Sequence, residues 1–260
     1  MAFGITTLVA VLVAVAAWAQ PPRVVDLPTR PGVTQRMLVL GQTDAKAALV
    51  LFAGGHGGLQ LASDGGFGWG AGNFLIRSRE LFAEQGLRVV IVDAPSDRQS
   101  HPFLGGFRQT SEHVADVKAV IAWLKRETAI PVWLVGTSRG TQSAAFVATE
   151  LRPDKGGPDG IVLSSTILRD PRGRPVPDMR LDRVSVPVLV VHHKQDGCAL
   201  CAYADVPRQL DRLTATPRKE LLAFDGGISR GDPCEAFAYH GFNGLEREVV
   251  EKTATWIGAR

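Results

Sequence analysis

Ser138 sits in Gly136-Thr137-Ser138-Arg139-Gly140, after the apolar run Pro131 to Val135 and ahead of the small-residue stretch Ser143-Ala144-Ala145. This reads as a strand, a sharp turn and a helix. Glycines two residues to either side of the serine let strand and helix pack without collision, while the serine takes a strained backbone and lifts its hydroxyl clear of both. The chemistry on offer is nucleophilic attack. An ordinary helix-capping serine is the plainer reading, and it leaves both glycines without a purpose.

A serine hydroxyl is a weak nucleophile at neutral pH and needs a base within reach, a role that suits an imidazole titrating near neutrality. His240 is the candidate base, in the polar, glycine-bearing stretch Ala238-Tyr239-His240-Gly241-Phe242. Asp196, in Lys194-Gln195-Asp196-Gly197-Cys198 just past an apolar run, is the candidate carboxylate to orient that imidazole. The alternatives are His192 and His193 for the base and Asp170, Asp182 and Asp205 for the acid. His113 falls within a helical pattern and reads as structural. Asp196 also has a bland reading as a turn aspartate before Gly197.

These residues need a scaffold, and the chain supplies alternating strands and helices. Val24 to Leu27, Arg36 to Leu40, Ala47 to Ala53, Leu87 to Asp93, Pro131 to Gly136, Gly160 to Ser164, Pro187 to His193 and Lys219 to Phe224 read as strands. Asn73 to Gln85, Ser111 to Glu127 with a capping serine, Val206 to Thr214 and Leu245 to Ile257 read as helices, and another follows Ser138. The alternation predicts an α/β fold with a mostly parallel, doubly wound sheet. In such sheets functional residues gather beyond the carboxyl ends of the strands. Ser138, Asp196 and His240 all fall at such ends, in the order serine, acid, histidine.

With that order the chain, from about residue 36 to 258, resembles the α/β-hydrolase superfamily, and specifically an exported bacterial branch carrying Asp-Gly-Cys after the seventh strand and Ala-Tyr-His-Gly-Phe before the last helix. The resemblance implies a serine hydrolase with Ser138 as nucleophile, His240 as base and Asp196 as its partner. It also implies an oxyanion hole with one backbone donor at Arg139 and another in the loop Gly54-Gly55-His56-Gly57-Gly58, where His56 and Gly57 are the first choices. Residues 165–186, where such folds often insert a cap, are short and polar, so little or no cap domain is expected and the site should be open. Phe67, Trp69, Phe74, Phe103, Phe107 and Tyr239 are available to line a pocket. Arg77, Arg79, Asp93, Ser96 and Asp97 read as a structural ion-pair cluster, with substrate binding as the alternative.

Cys198 lies two residues after the candidate acid and Cys234 six before the candidate base. A Cys198–Cys234 disulfide would tie the two loops together, with Cys201 as the alternative to Cys198. The Cys-x-x-Cys at 198–201 has no second pair at zinc-site spacing, so no metal and no cofactor is expected.

The chain has 260 residues, 45% hydrophobic and 21% charged, with a formal charge of +3. This is ordinary globular composition, with no basic run interleaved with aromatics to suggest a nucleic-acid partner. Residues 1–19 carry no charged side chain, are apolar from Ile5 to Trp18, and end in Ala17-Trp18-Ala19 before Gln20-Pro21-Pro22. That pattern predicts a signal peptide cleaved after Ala19, leaving one domain over 20–260 in the periplasm or outside the cell, without stable membrane association. An uncleaved anchor is the competing reading. A small-molecule ester is the expected substrate.

Overall fold

The computed structural model describes residues 21–171 and 173–259. The expected signal peptide lies outside the described residues. No helix among them is long and apolar enough to cross a membrane.

Among the described residues eight strands form one sheet: β1 (Arg23–Arg30), β2 (Val33–Leu40), β3 (Ala48–Phe52), β4 (Arg88–Val92), β5 (Val132–Thr137), β6 (Gly160–Ser164), β7 (Val188–His193) and β8 (Lys219–Phe224). Their order is β1-β2-β4-β3-β5-β6-β7-β8. β1 pairs antiparallel with β2, and β2 with β4; all the remaining pairs are parallel. The five strands from β3 to β7 are buried at every residue. Central parallel strands are covered on both faces, which explains why they read as unbroken apolar runs. β1 continues through Pro28, beyond its expected end, because an edge strand tolerates a residue that donates no ladder bond; a register shift between Pro28 and Arg30 absorbs it.

Six helices among the described residues cover the sheet: α1 (Phe74–Arg77), α2 (Arg79–Glu84), α3 (Ser111–Glu127), α4 (Gly140–Glu150), α5 (Val206–Arg212) and α6 (Glu246–Gly258). Side chains alternate between the two sheet faces with period two. Ala48, Val50 and Phe52 pack with Val117, Ile121 and Ala144 from α3 and α4. Leu49 and Leu51 pack with Leu75, Phe82 and Trp256 from α1, α2 and α6. The result is a three-layer arrangement. The segment between β6 and β7 contains only single helical turns at Val176–Asp178 and Leu181–Arg183, so no cap domain is present among the described residues.

Two local expectations change. The single helix expected over Asn73 to Gln85 is broken at Ser78 (φ −97°, ψ 4°). There the Arg79 guanidinium takes the Ile76 carbonyl at 2.8 Å, an acceptor that a continuous helix would give to residue 80. The cap of α3 is Thr110, whose hydroxyl accepts from the His113 N–H at 3.2 Å, one residue earlier than the expected serine.

His113 is structural, as read. Its ring lies edge-on to Phe52 and Phe107, and neither ring nitrogen has a hydrogen-bond partner. Burial, followed by the nearby Arg108 and Arg30 charges, pushes its pKa down to about 3. A histidine depressed on folding contributes its full stability above its unfolded value near 6.5 and loses it as pH falls toward the folded value. Between pH 6.5 and about 3 the wild type should therefore lose up to roughly tenfold in folding constant per pH unit relative to His113→Leu. Denaturant titrations of both proteins at stepped pH check this, and parallel stability curves would count against it.

Candidate active site

Backbone contacts shape the turn after β5. A Cβ at Gly136 would lie 2.3 Å from the Gly140 carbonyl oxygen, and one at Gly140 would lie 2.0 Å from that of Phe52 on β3. Only glycine fits at either position. Ser138 between them is held at φ +51°, in the left-handed region that costs a residue with a side chain about 1–3 kcal/mol. The surroundings hold it there. Its N–H donates to Ser164 O at 3.0 Å, and its carbonyl accepts from the Thr141 N–H at 2.9 Å and the Thr141 hydroxyl at 2.6 Å.

Asp196 and His240 meet, although 44 residues separate them. His240 Nδ1 lies 2.9 Å from Asp196 Oδ2, and the acid's other oxygen accepts the Cys198 N–H at 2.9 Å. With a carboxylate on Nδ1, the neutral ring carries its proton there and leaves Nε2 as a base. Nε2 is buried and has no hydrogen-bond partner. His240 and Ser138 line the same cavity, of about 290 Å³. Trp69, Phe74 and Phe237 supply its aromatic wall.

The rival residues are engaged elsewhere. His192 stands behind the acid, its Nε2 2.7 Å from Cys201 O and 3.6 Å from Asp196 Oδ2, and burial lowers its pKa. His193 stacks on Tyr239 with ring centroids 4.5 Å apart and bonds Gly226 O. Asp182 and Asp205 pair with Arg180 and Arg169, which hold both carboxyls below the usual range. Asp170 pairs with Arg139 at 2.8 Å.

Cys198 is bonded to Cys234, and Cys201 is a free, buried cysteine whose thiol is pushed well above its ordinary pKa, chiefly by burial. Cys198, Cys201 and His240 bring potential metal donors within 4.8 Å of one another. The disulfide takes up the Cys198 sulfur, so this donor set does not suit a resident ion.

The glycine loop after β3 differs from expectation. Gly54 and Gly55 line the cavity with Ser138, and a Cβ at Gly54 would lie 3.0 Å from the serine Cβ. His56 and Gly57 do not line that cavity. The His56 ring is sandwiched between Trp69 and Phe103, at centroid distances of 3.8 and 4.4 Å, and its carbonyl accepts from the Leu104 N–H. Gly57 backs onto Arg108, whose Nη2 would lie 2.3 Å from a Cβ there. Among the described residues, the N–H groups of Gly54, Gly55 and Arg139 reach no acceptor.

Several supporting residues carry no local sequence signal. The Ser165 hydroxyl donates to His240 O at 2.7 Å. The ion-pair cluster expected of Arg77, Arg79, Asp93, Ser96 and Asp97 does not form: Arg79 pairs with Glu80 and Asp97 with Arg30, while Arg77 pairs with Glu246 and also reaches Gly241 O at 2.6 Å, next to the histidine. Asp93 accepts the N–H groups of Leu59 and Leu61 at 2.6 and 2.8 Å, which anchors the far end of the glycine loop. Of the expected pocket aromatics, Trp69 and Phe74 line the cavity, while Phe237, 52% exposed, is an addition.

Solved structures share this arrangement of sheet and helices. An esterase from Pyrococcus furiosus matches with a TM-score of 0.65 at 13% identity, over 94% of this chain and 95% of that one. A dienelactone hydrolase from Anabaena variabilis matches with a TM-score of 0.62 at 16% identity, over 92% and 96%. The chain has the α/β-hydrolase fold. An α/β serine hydrolase without lid from Xanthomonas campestris matches with a TM-score of 0.55 at 16% identity, over 95% and 98%. No family model and no curated protein sequence matches the chain. Within the α/β-hydrolase fold, Ser138 follows the fifth strand, Asp196 the seventh and His240 the eighth.

The disulfide closes a loop with a sequence separation of 36. Cys234→Ser should cost about 4 kcal/mol, as a chain-entropy estimate, and should raise amide hydrogen exchange across residues 232–242. Cys201→Ala should leave exchange in that loop unchanged. Equal exchange in the Cys234 variant and the wild type would show that the other ties hold the loop by themselves.

Proposed function

We propose that the protein is an exported serine hydrolase acting on carboxylic esters. The observation that carries this reading is the Asp196–His240 pair, which leaves a buried, unpartnered Nε2 on the cavity of a serine held in a strained turn. A base without a partner beside a nucleophile is poised for proton transfer, and the serine–histidine hydrogen bond of such sites is often long before substrate arrives.

In this mechanism Ser138 Oγ attacks the ester carbonyl carbon as His240 Nε2 takes the hydroxyl proton. Asp196 keeps the imidazole in its Nδ1–H tautomer and stabilises the imidazolium. The carbonyl oxygen becomes an oxyanion that accepts from the Arg139 N–H and from the Gly54-Gly55 pair. Collapse breaks the ester C–O bond, and His240 returns the proton to the departing alcohol. Water, deprotonated by His240, then releases the acid and restores Ser138. Ser138, His240 and water account for every proton, so the reaction needs no cofactor.

The ester class comes from the names of the structural neighbours, an esterase and a dienelactone hydrolase. The small cavity and the absence of a cap among the described residues favour short or exposed acyl groups. A disulfide beside the site fits an oxidising, extracytoplasmic compartment. The same three side chains would also serve a peptidase, thioesterase or acyltransferase, and a graded substrate panel separates these.

A fluorophosphonate probe should label the wild type at Ser138 and fail to label Ser138→Ala. His240→Ala and Asp196→Ala should slow labelling and ester turnover by about 10³-fold or more. Activity should also fall as p-nitrophenyl esters lengthen beyond short chains. A folded wild type that takes no label would rule out the hydrolase and leave a ligand-binding protein with a hydrolase fold.

A further inference from the structure

Beside the serine turn lies a second, larger cavity, of about 660 Å³. Gly55 lines both cavities, and Arg139, adjacent to Ser138, lines the second. Three guanidinium groups line it, from Arg108, Arg139 and Arg174, against a single carboxylate among its lining residues, Asp170. That carboxylate is engaged with Arg139 and with Gln142 Nε2. Arg174 is exposed, and its Nε donates to the neutral Gln109 Oε1 at 2.7 Å.

Arg108 is the unusual member. It is 4% exposed and forms no ion pair among the described residues. Its guanidinium donates only to neutral oxygens: Ser143 Oγ at 2.9 Å, Ala53 O at 3.0 Å and Gly55 O at 3.4 Å. A buried cation without a counter-charge is costly, and burial together with Arg139 lowers its pKa to about 9, which leaves it charged at neutral pH. The first turn of α4, through Arg139 and Gln142, adds the positive end of a helix dipole to the same cavity.

We propose that this cavity binds an anionic group of the substrate, so that the ester cleaved at Ser138 carries a carboxylate a few bonds from its scissile carbonyl. The inference rests on the hydrolase reading above and names its substrate class. The apolar part of the ester lies against Trp69 and Phe237, and its carboxylate lies toward Arg108 and Arg174, with Gly55 between the two. The carboxylate makes and breaks no bond. It supplies the counter-charge that Arg108 lacks, and guanidinium groups suit it because their paired N–H donors match its two oxygens. A neutral ester of the same shape leaves the guanidinium unpaired, which is the basis of discrimination.

The first arm of the test is binding, measured by calorimetry on full-length Ser138→Ala, with monomethyl glutarate as the anionic probe and dimethyl glutarate as its neutral counterpart. Charged hydrogen bonds predict that the anionic probe binds about tenfold or more tightly. That preference should shrink with added salt and should fall several-fold when Arg174→Gln or Arg108→Met is added. Arg108→Met is counted only where its thermal melt shows a folded protein; the exposed Arg174→Gln carries the test in either case. Equal binding of the two probes, or a preference untouched by Arg174→Gln, overturns the proposal. The second arm compares turnover of mono-p-nitrophenyl glutarate with p-nitrophenyl butyrate by the wild type. Faster turnover of the charged ester supports both readings. Turnover of neither, with the binding preference intact, removes the hydrolase and keeps the anion site. Equal turnover with equal binding removes the anion site alone.

Discussion

Backbone packed directly on backbone where β5 turns into α4 is the constraint on which the rest of the site depends. The Phe52 carbonyl on β3, the Gly140 carbonyl and the Gly136 Cα crowd into a space that admits no Cβ. That crowding lets α4 begin immediately beneath the strand ends and forces Ser138 into the left-handed region. The parallel register supplies the opposing hold: Thr137 pairs with Ser164, so the next N–H, that of Ser138, falls on the Ser164 carbonyl. A strained residue persists only where its surroundings over-determine it. Here three buried strands, β3, β5 and β6, do so.

The histidine side of the site is built on the opposite plan. Between β8 and α6 the chain has only one helical turn, at Tyr239–Gly241, so little regular hydrogen bonding fixes His240. Long-range ties from three elements take that role: the Cys198–Cys234 disulfide and the Asp196 carboxylate on the ring, both from the loop after β7, the Ser165 hydroxyl from the end of β6, and the Arg77 guanidinium from α1. Close packing adds to them, since a Cβ on Gly241 would lie 1.9 Å from Ala236 O. A loop tied at four points can present an imidazole as firmly as a helix would, at the cost of ordering many residues.

This contrast explains what could be read from the sequence. The serine turn is local, and its glycine spacing shows in five consecutive residues. The strands were legible because double burial requires unbroken apolar runs, and the positions of Asp196 and His240 followed from the strands. The loop after β3 was harder. Gly55 takes φ +57° and Gly57 φ +76°, conformations open to any glycine, so five residues with four glycines do not reveal which N–H groups turn toward Ser138. Hence the structure brings Gly54 and Gly55 to the cavity instead of His56 and Gly57. Ser165 and Arg77 act on groups 75 and 164 residues away, and no local pattern announces such partners. At the break at Ser78 an arginine side chain takes the Ile76 carbonyl, a contact that periodicity does not encode.

Arg108 links the two cavities through the glycine loop. It draws the carbonyls of Ala53 and Gly55 toward itself, and in a planar trans peptide the carbonyl and the following N–H point in opposite directions. The Gly54 N–H is therefore turned away from the guanidinium. The same interaction anchors the loop to α4 through Ser143 and keeps a full positive charge, out of water, behind the peptides that face the serine. Charge in a water-poor site acts over several ångströms with little screening. Under the hydrolase reading, such a cation favours the oxyanion that develops in the transition state and the carboxylate that docks beside it, for the same electrostatic reason. Those two anions repel each other, and the guanidinium between them offsets that repulsion, so a charged substrate need not lose rate at the step where the second negative charge appears.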